Sequence, residues 1–297
     1  MTPDEIRNTT LKAIFSNDQL NEKLVLKGGN ALKIYGIVER ESQDLDFSIK
    51  ETVRFSEEKE GKEFQKSISE AFNNKGYFVN AFEFVSKPKI RHDSLPPYWG
   101  GYKITFTLLD VSLYQDVIAS QDPENMKELN KYGIPLERDG KKIEIDLSYD
   151  EYVENKEDYN LNGTKIYLYS PLMIVYEKIR ASCQQLDEYP LTIKTKTRAR
   201  DLYDIYKSLT NSKQIDLRDQ VLSFENFYIL ENIFRVKKVP LSLMKKLETK
   251  KDDLKIDYEE KVLPQVSSRN HEDFEFIFDY NQKLFKDLYE KYEEHQK

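Results

Sequence analysis

The chain has 297 residues, a formal net charge of −7 and a third of its residues charged, which argues against a general polyanion-binding role unless lysines and arginines cluster locally. With 39% hydrophobic residues, including 20 Tyr and 16 Phe, it can fill one large core or two ordinary ones. A single cysteine, Cys183, excludes an internal disulfide framework or a multi-cysteine zinc site, and His92, His271 and His295 lie far apart with no ligand spacing.

From Pro3 to Asn21 the apolar positions Ile6, Leu11, Ile14 and Phe15 carry helical spacing and lead into a short strand, Leu24 to Leu26. Gly28 and Gly29 break the pattern. A short helix is predicted from Asn30, which can cap it, with Ala31, Leu32, Ile34 and Tyr35 as its stripe and Gly36 at its end. Next, Asp44, Asp46 and Ser48 alternate with Leu45, Phe47 and Ile49. A strand of that period puts both carboxylates on one face and the apolar residues on the core face. Alternate strand residues lie roughly 6.6 Å apart, close enough to converge on metal ions and a polyphosphate.

A charge-rich helix is predicted over Ser56 to Asn74, strands over Tyr77 to Ser86 and Tyr102 to Leu109, and a mixed region rich in Asp, Asn and Pro to about Asp139. Lys142 to Ser148 alternates again, with Ile143, Ile145 and Leu147 facing one way and Glu144, Asp146 and Ser148 the other. Asn162-Gly163 reads as a turn before a strand from Lys165 to Tyr169. Ser170-Pro171 starts a helix running to about Leu186, because serine caps an orphan amide and proline suits the first helical position. Another helix covers Asp201 to Leu209. From Ile215 onward the pattern is helical, so the chain is divided into residues 1–160 and a mostly helical domain over 161–297. No apolar run approaches the roughly 18 residues of a membrane span, and the first residues lack a basic-then-apolar signal. A cytoplasmic protein without membrane contact is expected.

Neither the glycine pair nor the Asp-Leu-Asp strand is specific alone. A tight turn and a wet sheet face account for each. Together they place a phosphate cradle beside a metal site in one supersecondary unit. Lys27-Gly28-Gly29-Asn30-Ala31-Leu32, followed by Arg40-x-Ser42-x-Asp44-Leu45-Asp46-Phe47, resembles the opening motif of the AbiEii/AbiGii nucleotidyltransferase toxins, within the DNA polymerase beta-like nucleotidyltransferase superfamily. The Gly-Gly turn departs from the superfamily's usual Gly-Ser and removes a phosphate-contacting hydroxyl, for which Ser42 is a candidate replacement. Glu177-Lys178-Ile179-Arg180-Ala181 and Arg198-x-Arg200-Asp201-Leu202-Tyr203-Asp204-Ile205 resemble the lysine helix and the RDLYDL-type motif of the same toxins.

The resemblance implies an α/β (α+β) polymerase beta-like domain with a mixed sheet, then a mostly helical domain contributing Lys178 and Asp201 to a nucleotide cleft. It implies a third carboxylate on a later strand, for which Asp146 is the candidate and Glu144 the runner-up. Asp44, Asp46 and Asp146 would then hold two Mg²⁺ ions with a bound NTP. Lys27, Gly28, Gly29, Asn30, Arg40, Ser42 and Lys178 would contact the nucleotide, with Asp201 orienting Lys178 or a metal-bound group. The implied reaction moves a nucleotidyl group from an NTP to RNA, such as the 3′ end of a tRNA, with pyrophosphate released and a cognate antitoxin as partner. Lys194, Lys196, Arg198 and Arg200 occupy every second position and, if extended, form a basic stripe for RNA. A non-catalytic nucleotide-binding module, a phosphotransferase and a small-molecule nucleotidyltransferase are the alternatives left open by the residues themselves.

Overall fold

The two acidic segments whose alternation marks them as strands lie side by side in one sheet. The computed structural model describes residues 1–38, 44–91, 95–119, 129–136, 140–190, 197–211 and 216–297. It divides into two compact units, the first made of Met1–Lys27, Ser42–Val153 and Glu157–Leu168, the second of Gly28–Glu41, Glu154–Lys156 and Tyr169–Lys297.

The first unit opens with helix α1 (Pro3–Phe15), whose start is fixed by a reciprocal capping box between Thr2 and Glu5. Its strands are β1 (Leu24–Lys27), β2 (Leu45–Lys50), β3 (Tyr77–Lys87), β4 (Gly101–Asp110), β5 (Lys142–Glu151), β6 (Lys156–Leu161) and β7 (Thr164–Tyr169). They form one mixed sheet in the order β3-β4-β5-β2-β1-β7-β6. β2 runs parallel to β5 and antiparallel to β1, while β1 runs parallel to β7. The fold is therefore mixed α/β, as the sequence predicts.

One face of this sheet is apolar. Leu45, Phe47, Ile104, Phe106, Ile145 and Leu147 are buried on it, and α1 and α3 (Lys59–Asn73) supply Phe15 against Phe47, Phe64 against Phe84 and Phe72 against Phe106. The other face carries the alternating polar residues. Two elements were not predicted. α4 (Val111–Ala119) follows β4 directly, started by Asp110, whose carboxylate accepts from the amides of Ser112 and Leu113. β6 is polar and mostly exposed, and the hairpin turn at Asn162 and Gly163, both with positive φ, returns it to β7.

The second unit contains α2 (Gly28–Ile34), α5 (Pro171–Cys183), α6 (Ala199–Thr210), α7 (Leu217–Val221), α8 (Phe227–Arg235), α9 (Lys251–Asp257) and α10 (Phe274–His295), with 3₁₀ segments and a π-helical turn, Tyr258–Val262, among them. α2 begins at Gly28 rather than at the predicted cap Asn30, which is buried inside the helix. Gly36 ends it with positive φ and a bond from the Ile37 amide back to the Leu32 carbonyl. α5 is the hub. Ser170 caps it through the Met173 amide, Pro171 takes its first position, and its residues are buried nearly throughout. Around it, the Tyr176 hydroxyl donates to the Val221 carbonyl and Asn281 on α10 donates to the Leu202 carbonyl. Cys183 is buried, and burial raises its thiol pKa, so it is a packing residue rather than a nucleophile. Among the described residues, no helix is long and apolar enough to cross a membrane.

Candidate active site

The register of the first unit's sheet draws four charged positions into one line. Lys27 on β1 pairs with Asp46 on β2, Asp46 with Asp146 on β5, and Asp146 with Lys103 on β4. Ladder partners share a face, and neighbouring strands lie roughly 4.8 Å apart, so Asp46 and Asp146 stand side by side between two lysines. Two like charges directly opposite are unfavourable. Lys87, in contact with Asp146, and Lys103, near it, offset part of that cost.

Asp44 lies just ahead of β2 and is exposed. Asp46 and Asp146 are half-buried, on the face opposite Leu45 and Phe47. Asp146, rather than Glu144, is the register neighbour of Asp46. The Asp146 carboxylate accepts from Lys87 Nζ at 2.7 Å, and Glu144 accepts from Lys103 Nζ at 2.6 Å. Burial opposes the Lys103 charge, but the hydrogen bond to Glu144 and the nearby charges of Glu144, Asp146 and Asp44 outweigh it, holding the ammonium above the usual lysine value. Lys87 and Lys103 were not predicted as site residues. The sequence does offer one signal for Lys103, which shares with Thr105 and Thr107 the polar phase of an otherwise apolar strand.

Lys27 has an ion partner of its own. Its Nζ sits 3.2 Å from Glu151 Oε1, with both side chains largely buried. Gly28 has φ 72, a conformation that favours glycine, while Gly29 and Asn30 are buried. Arg40 and Ser42 lie outside the described residues.

In the second unit the structure brings Lys178, Asp201 and Asp204 together. Lys178 Nζ lies 2.7 Å from Asp201 Oδ1 and 2.8 Å from Asp204 Oδ2, and the three side chains are 5%, 6% and 0% exposed. The local cause is simple: Asp201 and Asp204 are three apart on α6 and so share a face, which meets the middle of α5. Burial alone would raise the Asp201 carboxyl, but the ammonium of Lys178 and the charges of Arg198 and Arg200 outweigh it and hold its pKa below the usual carboxylate value. Its second oxygen, Oδ2, is buried with no hydrogen-bond donor and has Arg198 at 3.8 Å. Lys178 is thus gripped from two sides, and removing its charge would take from both buried carboxylates the ammonium they share.

The basic stripe is covered only in part. Lys194 and Lys196 lie outside the described residues. Arg198 and Arg200 are exposed, but Arg200 is already inside α6, where the Ala199 amide donates to Asp257 Oδ2. The extended geometry that would aim all four cations one way therefore ends before Arg200.

The donors on the acidic strands are carboxylate oxygens, the type Mg²⁺ prefers. Among the described residues, no three His, Cys, Asp or Glu side chains are gathered into a ready-made metal cage. Mg²⁺ does not need one, since it is usually held by one or two carboxylates, substrate phosphates and water. The adjacent pair Asp46 and Asp146 fits that arrangement.

The family model for the nucleotidyl transferase AbiEii toxin, type IV TA system, matches residues 9–280. No curated protein matches the chain. Among solved structures, JHP933 from Helicobacter pylori is similar at 18% identity, covering 99% of this chain and 93% of that one with a TM-score of 0.47. An antigenic nucleotidyltransferase-like protein from Paracoccidioides brasiliensis is similar at 14% identity, covering 79% and 99% with a TM-score of 0.34.

Proposed function

The chain belongs to the AbiEii nucleotidyl transferase toxin family, and from that premise we propose that it transfers a nucleotidyl group from an NTP to an RNA hydroxyl, such as the 3′ end of a tRNA. The observation that carries this reading is the side-by-side register of Asp46 and Asp146 between Lys27 and Lys103. Such a row suits a reaction in which a highly anionic substrate meets a carboxylate site. Asp46 and Asp146, with Asp44 ahead of the strand, are the residues that would hold Mg²⁺. When bound, the ion supplies charge stabilisation to the entering and leaving oxygens of an in-line displacement.

This chain's own residues do the rest. Asp46 and Asp146 are fixed by sheet register, so their spacing does not depend on a loop. Lys103, braced by Glu144, keeps a cation beside Asp146 and tempers the repulsion a triphosphate would otherwise meet. Gly28, Gly29 and Asn30, together with Lys27, Arg40 and Ser42, remain the residues assigned to the nucleotide by the motif they form. Lys178 is assigned to its phosphates on the same ground, with Asp201 as the residue that orients it. The family's type also assigns a cognate antitoxin as partner.

The acceptor is tested by incubating the protein with each α-labelled NTP, Mg²⁺ and total RNA, then sequencing RNA 3′ ends. The reading expects added nucleotides on a defined RNA class, tRNA first. Unchanged 3′ ends, with label recovered on a small molecule, would replace the RNA acceptor by a small-molecule one.

A further inference from the structure

We propose that Lys87 is a resident counter-ion of Asp146, which a divalent cation must displace before Asp146 can ligate it. This rests on the reading of Asp46 and Asp146 as the Mg²⁺ pair and adds to it a residue outside every motif.

Lys87 is the last residue of β3, two strands away from β5. Its ladder partner on β4 is Gly101, whose own partner on β5 is Ser148. From there the side chain crosses β4 and places Nζ 2.7 Å from Asp146 Oδ1. Gly101 offers no side chain to obstruct that path. It also cannot acquire one, because a Cβ there would come 1.8 Å from the Leu147 carbonyl oxygen. The nearer lysine is Lys103, directly beside Asp146 in the ladder, yet its ammonium goes to Glu144 at 2.6 Å. The two lysines thus divide Glu144 and Asp146 between them.

The two pairs differ in how easily they open. Lys87 has 53% of its side chain exposed, against 29% for Lys103, and it sits on a flexible four-carbon stem at a strand end. An ammonium in that setting can satisfy Asp146 while no metal is bound and then move into water. A Mg²⁺ or Mn²⁺ ion competes with it for the same carboxylate. Exposed ion pairs are weak, so the competition changes ion affinity only about two- to five-fold.

The test is direct binding of Mn²⁺ alone to the full chain, followed by the electron paramagnetic resonance signal of free Mn²⁺. The proteins compared are wild type, Lys87→Gln, Lys87→Arg and Asp146→Asn, each checked for a native thermal transition. Lys87→Gln should bind Mn²⁺ about two- to five-fold more tightly than wild type, Lys87→Arg like wild type, and Asp146→Asn at least about ten-fold more weakly. If Asp146→Asn loses affinity but Lys87→Gln gains none, the counter-ion role is wrong while the metal reading stands. If Asp146→Asn binds like wild type, the metal reading itself falls and the proposal with it. Absence of Mn²⁺ binding by all four proteins also overturns the proposal.

Discussion

Lys178 shows how burial changes the meaning of a charged residue. A lysine on a helix surface can be exchanged at little cost, but this one is clasped by Asp201 and Asp204 inside the second unit. Lys178→Ala should lower unfolding free energy by about 3–5 kcal/mol, because it removes the ammonium that two buried carboxylates share. Urea denaturation at pH 7 checks this, and a loss below about 1 kcal/mol would mean the carboxylates are readily rehydrated. Loss of activity in that variant would then report on folding as much as on phosphate contact. The pH dependence follows from the depressed Asp201 pKa. A carboxyl that is more acidic in the folded state gives stability that is fully present above its unfolded value of about 3.9 and is lost as pH falls through the folded value. Asp201→Asn should therefore be less stable than wild type at pH 7, with the gap narrowing below about pH 4; a gap independent of pH would contradict the assignment.

The elements were legible where a period could be counted. β2 and β5 announced themselves because a half-buried strand alternates, and α5 because Ser170-Pro171 is a strong start with an apolar run behind it. β6 was not, since its middle, Glu157 to Asn160, is exposed on every residue and shows no alternation, and it depends on its hairpin partner. α4 carries one local signal, the Asp110 cap, at the edge of a stretch whose Asp, Asn and Pro content reads as loop. The acidic half of the site was visible for the same reason as the strands. Lys27 was visible in its motif, but the pairing of Lys87 with Asp146 and of Lys103 with Glu144 was not, because which cation crosses to which carboxylate is decided by register between β3, β4 and β5, and one sequence does not display register. Gly101 marks that junction. Gly101→Ala should cost about 1–3 kcal/mol or more, since its Cβ would meet the backbone of β5 and the strands would have to part. Gly76→Ala is the control, at about 1–2 kcal/mol, because φ +81 strains an alanine there but nothing lies within 4 Å. Equal thermal shifts for the two variants would show that the β4–β5 contact yields easily.

At the scale of the whole molecule, an acidic chain is assigned a reaction on anionic substrates. The reconciliation is local: the carboxylates are confined to one sheet line and bracketed by Lys27, Lys87 and Lys103, while the apolar face of the same sheet holds the strands in register. The central claim is that Asp46 and Asp146 serve nucleotidyl transfer, and parallel reactions with α-labelled and γ-labelled NTP test it most directly. With Mg²⁺ and RNA, the α label should enter RNA while the γ label leaves as pyrophosphate. Asp46→Ala and Asp146→Asn, shown to be folded, should each lower incorporation by at least about a hundred-fold. Transfer of the γ label to the acceptor, or wild-type incorporation by either folded variant, would contradict the account.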